Sequence, residues 1–133
     1  MTTRAERVMT GLFVRRYVEV LGILLVLQAL GGAVFKVLQE RVDDLPHAGV
    51  HLLSGILTLT ASSLWRSSSA ARAFALGFGI LYLSLGVLGY LQAPGVAALH
   101  LEIADHVFHI AVGTLTLAVG LQGSGTRTRP PGC

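Results

Sequence analysis

With 133 residues, 53% of them hydrophobic and only 13% charged, the chain is too poor in polar side chains to wrap an apolar core in water, where about 25% charged residues is usual. The formal net charge of +3 comes from basic residues scattered around apolar runs, without the basic, aromatic-laced face that nucleic acid requires, so nucleic acid is excluded as a partner. The one cysteine, Cys133, excludes an intramolecular disulfide and any thiolate cluster.

From the start of the chain, residues 1–16 hold Arg4, Arg7, Arg15 and Arg16 against Glu6 alone, with Val8, Met9, Leu12, Phe13 and Val14 between them. This is the composition of a basic arm lying at a membrane interface. A secretory signal peptide has the same opening, but the apolar run that follows is longer than a signal's core and has a counterpart later in the chain, so an uncleaved span is expected. Four segments reach spanning length, 17–37, 47–65, 73–92 and 103–121, each near the ~20 residues that cross ~30 Å of hydrocarbon as a helix. None alternates with period two, which excludes the strands of a membrane barrel. Between them lie a charged connection with Glu40, Arg41, Asp43 and Asp44, a serine-rich turn over 66–72, and a break at Ala93-Pro94-Gly95. The Gly, Thr, Arg and Pro of 123–133 are expected to be disordered. Arg4, Arg7, Arg15, Arg16, Arg66, Arg72, Arg127 and Arg129 fall on the side of the N-terminus, with Lys36 and Arg41 opposite, so the positive-inside rule places both termini in the cytoplasm and all five histidines toward the outer face.

The segment from Pro46 to Gly55 recurs 58 positions later. His51 falls on His109, Gly55 on Gly113, Leu57-Thr58-Leu59 on Leu115-Thr116-Leu117, and His47 on Asp105. A shift of 57 likewise carries Gly22-Ile23-Leu24 onto Gly79-Ile80-Leu81, Ala29 onto Gly86 and Gly32 onto Gly89. The expected fold is therefore all-α: an integral membrane four-helix bundle of two tandem helical hairpins, about 17–65 and 73–122, related by an axis along the membrane normal. Each helix carries two small residues seven apart, Gly22 and Ala29, Gly55 and Ser62, Gly79 and Gly86, Gly113 and Gly120, marking the seams where helices pack closely. His47 and His51, like Asp105 and His109, are spaced four apart on the same stripes, so they should face other helices rather than lipid.

These same features, His51-x3-Gly55, the run Gly79-Ile80-Leu81-Tyr82-Leu83 to Gly86-Val87-Leu88-Gly89, and Asp105-x3-His109-x3-Gly113, resemble the bacterial four-helix membrane family catalogued as domain of unknown function 4383. The resemblance implies an integral protein of a bacterial plasma membrane and carries no catalytic residues.

His47, His51, Asp105 and His109 suit several roles. They can hydrogen-bond between helices and make the chain a structural or interaction module, with the lipid bilayer, a second copy of the chain or another membrane protein as partner. As three imidazoles and a carboxylate they form an adequate ligand set for Zn²⁺ or another divalent transition metal, with His106 as an outer partner. His51 and His109 alone suit a bis-histidine b-type haem, and the cluster with Thr58, Thr116 and neighbouring hydroxyls suits a proton or ion path. Glu19 is expected to pair with Arg15 or Arg16, Gln28 to hydrogen-bond between helices, and Tyr17, Trp65 and Tyr90 to anchor the interface. No nucleophile elbow, phosphate loop, dinucleotide fingerprint or HExxH occurs, so a binding protein rather than an enzyme is expected.

Overall fold

The computed structural model describes residues 4–39, 45–64, 68–97, 99 and 101–122. The loop acids, Trp65, His100 and the tail 123–133 lie outside them. The described residues form five helices: α1 (Arg4–Leu38), α2 (Leu45–Leu64), α3 (Ser68–Tyr90), the single turn α4 (Pro94–Ala97) and α5 (Ile103–Gln122). No strand occurs among the described residues. Three stretches, Val8–Phe35, Ser69–Tyr90 and Ile103–Gln122, are long and apolar enough to cross a membrane. α2 is 20 residues long but is not among them, since two histidines and several threonines and serines dilute its apolar content.

Two boundaries differ from the sequence reading. The basic arm, from Arg4 on, is continuous with the first span, giving one helix of 35 residues, about 52 Å. Charged residues lower hydropathy without breaking a helix, because Arg and Glu are good helix formers. The serine-rich turn is also shorter than expected: the helix is already running at Ser68, where Ala70 and Ala71 favour it and Ala71 packs into the core. α3 ends as Pro94 predicts. Gln92 takes a left-handed conformation (φ 53°). Its N–H bonds the Gly89 carbonyl while that of Ala93 reaches back to Leu88, so the last carbonyls of α3 are satisfied before Pro94 opens α4.

α1 packs closely on α2, and α3 on α5; α1 and α3 then join the two pairs. Val14 and Val18 of α1 meet Ala71 and Ala75 of α3 and Val119 of α5, and Leu21 and Leu25 meet Phe78 and Tyr82. Glycines set the tight contacts. A methyl group added at Gly55 would lie 2.9 Å from the Val26 backbone nitrogen, and one at Gly113 would strike the backbone of Leu83. Gly22 faces Leu59 as Gly79 faces Leu117, and Gly86 and Gly120 meet Ile110 and Leu76. Ala29 and Ser62 are buried as well. Gly32 meets nothing within 4 Å, whereas Gly89, its partner under the 57-residue shift, is pressed against His106.

Large apolar side chains cover the outside, among them Ile23, Leu24, Leu27, Leu30 and Val34 of α1, Leu53, Ile56 and Leu57 of α2, Ile80 and Leu81 of α3, and Val107 and Leu115 of α5. A water-soluble monomer rarely exposes a contiguous apolar patch beyond a few hundred Å². Tyr17 is not the expected interface anchor: its ring packs into both core clusters and its hydroxyl lies 2.8 Å from Thr116 Oγ1. Thr116 spends its own proton on the Val112 carbonyl, so Tyr17 donates. Gln28 is exposed and makes no hydrogen bond among the described residues, in place of the interhelical bond expected of it. Tyr90 is exposed, and Glu19 pairs with Arg16 at 2.9 Å.

Candidate metal centre

α2 and α5 do not touch through their backbones; no Cα of one lies within 8 Å of a Cα of the other among the described residues. Side chains bridge the separation instead. His47 and His51 project from the first two turns of α2, one turn apart, and His109 projects from the second turn of α5. All three are buried, with 4%, 2% and 1% of their surface exposed, and one ring nitrogen from each falls within 4.8 Å of the other two. The four-residue spacing on α2 stacks its two rings on one face, and His47 Nε2 lies 2.9 Å from His51 Nε2. The rings of His51 and His109 are nearly parallel, 5° apart, with centroids separated by 5.2 Å.

Aromatic groups line the site. Tyr82 of α3, fully buried, stands edge-on to His109 and His51 at 5.2 and 6.2 Å, and Phe108 stands edge-on to the same pair. Phe78 stacks on Tyr82 and continues the wall. A bis-histidine haem does not fit here, because rings 5.2 Å apart and flanked by Phe108 and Tyr82 leave no room for a macrocycle between them.

The electrostatics are unusual for so buried a place. Neither nitrogen of His109 makes a well-formed hydrogen bond among the described residues; its backbone interaction is a weak one with Asp105, a turn earlier on α5. A neutral imidazole offers one donor and one acceptor, and a buried polar group left unsatisfied costs about 1–3 kcal/mol. Three imidazoles converge here, His47 and His51 sharing a hydrogen bond between their Nε2 atoms and His109 making no well-formed bond of its own. That is the condition a transition-metal ion relieves.

The fourth predicted ligand has a different place. Asp105 lies at the third position of α5, where its Oδ2 accepts from the Glu102 N–H at 2.9 Å, closing the helix start as the second half of a capping box does. The same oxygen is 3.7 Å from His47 Nδ1. Asp105 thus stands behind one histidine, on the nitrogen opposite the one that faces His51. At 3.7 Å the pair is longer than a hydrogen bond, and a closure of less than about 1 Å would bring the carboxylate to the outer-sphere position that fixes the tautomer of a metal-binding imidazole. His106 points elsewhere: it is buried against Gly89 and edge-on to Tyr90, and its Nδ1 has no partner among the described residues. Sequence reasoning assigned no role to Tyr82 or Phe108. The available signal was a tyrosine in the middle of an apolar span, where a phenol is costly unless packed against something polar.

Tetrahedral coordination at 2.0–2.1 Å per bond sets ligand nitrogens about 3.3 Å apart. The His47–His51 pair at 2.9 Å is already on that scale. A third nitrogen within 4.8 Å closes by roughly 1.5 Å, a movement within reach of ring rotation. Three imidazoles suit Zn²⁺, copper, nickel or iron(II), and leave a fourth position for water or another small ligand.

No curated protein and no solved structure matches the chain. Residues 44–122 match the family described as Domain of unknown function (DUF4383), a stretch that runs from the start of α2 to the end of α5 and takes in His47, His51, Asp105 and His109. Covering more than half of the 133 residues, that match makes the chain a member of the DUF4383 family.

Proposed function

We propose that the chain is a small integral protein of the bacterial plasma membrane that binds one transition-metal ion through His47, His51 and His109, with Asp105 orienting His47. All four long helices cross the bilayer as two tandem hairpins, α1 with α2 and α3 with α5, and both termini are cytoplasmic. The repeat is supported by matched contacts: Gly22 on Leu59 and Gly79 on Leu117, Gly55 on Val26 and Gly113 on Leu83, each pair carried onto the other by shifts of 57 and 58. α2 crosses despite its histidines because those side chains are buried against other helices, where they cost far less than in contact with acyl chains. The protein acts as a binding module rather than an enzyme.

The observation that carries the metal reading is His109, almost completely buried and without a well-formed hydrogen bond at either ring nitrogen, where two other imidazoles converge. Metal analysis of detergent-purified protein, beside a His51→Ala/His109→Ala double variant, tests it. One equivalent of metal in the wild type and none in the variant is expected; equal and substoichiometric metal in both refutes the site. A second reading, in which the histidines only join α2 to α5, is favoured by the approach of His47 on α2 to Asp105 on α5, 3.7 Å apart. It predicts full stability in the presence of chelator. A proton path has less support, since the buried hydroxyls of Thr58 and Thr116 are each spent on a carbonyl of their own helix.

A further inference from the structure

At the opposite end of the helices from the histidines, α1 and α2 enclose a cleft of about 260 Å³ lined by Leu12, Arg15, Arg16, Glu19, Ser62 and Ser63. The corresponding corner of the α3–α5 pair is closed. There Arg72, which the 57-residue shift relates to Arg15, donates from Nε to the Gly120 carbonyl at 2.8 Å, and Leu76, in the place of Glu19, packs on Gly120. Arg15 has no such bond. It is half-buried and makes no hydrogen bond or ion pair among the described residues, while its neighbour Arg16 is paired with Glu19 at 2.9 Å. The charges around the cleft therefore sum to one uncompensated positive charge, that of Arg15. Ser62 and Ser63 donate to the carbonyls of Leu59 and Thr60 and so meet a ligand as acceptors.

We infer that this cleft binds the phosphodiester headgroup of an anionic membrane phospholipid, with the Arg15 guanidinium on the phosphate and the serine hydroxyls accepting from a hydroxylated headgroup such as glycerol. A phosphodiester carries the single negative charge that matches Arg15, and the planar guanidinium fork suits two phosphate oxygens at once. The volume is below the ~300–1,000 Å³ of pockets that enclose a whole ligand, and fits a headgroup whose chains stay outside. Exposed apolar side chains adjoin the cleft, Leu12 within it and Val8, Met9 and Phe13 nearby on α1, and give acyl chains a surface that a free anion would not use. Basic clefts between membrane helices at the cytoplasmic boundary are the usual setting for headgroup recognition. The inference rests on the membrane reading and is independent of the metal.

The test uses the full chain in detergent, titrated with short-chain phosphatidylglycerol, short-chain phosphatidylcholine and inorganic phosphate, with bound ligand counted by native mass spectrometry. One phosphatidylglycerol per chain is expected, held at least about tenfold more tightly than phosphatidylcholine, and Arg15→Gln weakens it by about tenfold, as loss of a charge-assisted hydrogen bond should. Arg72→Gln leaves the affinity unchanged. Ser63→Leu, which fills the cleft and keeps both arginines, weakens binding as Arg15→Gln does and serves if that variant does not fold. Equal binding of the two lipids, an unchanged affinity in both Arg15→Gln and Ser63→Leu, or inorganic phosphate bound as tightly as the lipid overturns the inference. Metal retention by the same variants separates this outcome from failure of the histidine site, and a chain that stays monomeric in buffer without detergent marks failure of the membrane reading itself.

Discussion

Replacing His109 by leucine should raise the stability of the metal-free protein and lower that of the metal-loaded one. His109 is 1% exposed and neither ring nitrogen makes a well-formed hydrogen bond, so without metal the side chain carries a desolvation penalty of about 1–3 kcal/mol. Leucine has a similar volume and no polar atom; a mismatch in shape costs up to ~1.5 kcal/mol, and the metal-free variant should come out about 1 kcal/mol more stable than the wild type. Metal at a hundredfold excess over its dissociation constant adds about 2.7 kcal/mol to the wild type and nothing to a variant without the third ligand. The order then reverses, with His109→Leu the less stable by about 1.7 kcal/mol. Unfolding in mixed micelles, followed by circular dichroism with chelator and then with Zn²⁺, measures both differences. If His109→Leu is the weaker protein in chelator, and Zn²⁺ adds nothing to the wild type, the imidazole is a structural bonding group and the reasoning fails.

Asp105→Asn keeps an oxygen for the Glu102 N–H and removes the charge behind His47, so Zn²⁺ affinity should fall about 10- to 100-fold at unchanged one-to-one stoichiometry in a titration against a competing chelator. Metal binding should also depend on pH with a definite sign. Ligand imidazoles must be neutral, so protons compete with the metal and affinity should fall as the pH is lowered from 7.5 toward 4; an affinity that rises toward acid pH would exclude imidazole ligation. For the helix contacts, Gly113→Ala puts a methyl into the Leu83 backbone and should cost about 1–3 kcal/mol or more, whereas Gly77→Ala, with nothing within 4 Å, should gain about 0.5–1 kcal/mol of helix propensity. Unfolding of the two variants side by side decides, and equal effects would mean that α3 and α5 do not approach as closely as described.

Much of the site was legible because the physics behind it is local. A four-residue spacing places His47 over His51 and Asp105 over His109 whatever else the chain does, and small residues seven apart mark a seam on any membrane helix. What could not be read is set by distance along the chain or by chemistry that looks the same in two roles. Tyr17 and Thr116 are 99 residues apart, and nothing in the residues around either says that they meet. Asp105 illustrates the second case: an acidic residue at the third position of a helix is as well suited to closing the helix start as to holding a cation, and only the position of its oxygen relative to Glu102 and His47 separates the two. The first helix escaped in a third way. Hydropathy reports where lipid can lie, not where hydrogen bonding stops, so the turns from Arg4 to Arg16 were invisible as part of α1.

The ring of Tyr82 has a kinetic consequence. With Phe78 stacked behind it and His109 and His51 edge-on before it, this ring walls the histidine cluster on the side of the helix middles. If the histidines hold an ion, as proposed, this wall would favour its exchange toward the starts of α2 and α5. Tyr82→Ala should then speed metal release, which the time course of transfer to a chelator measures.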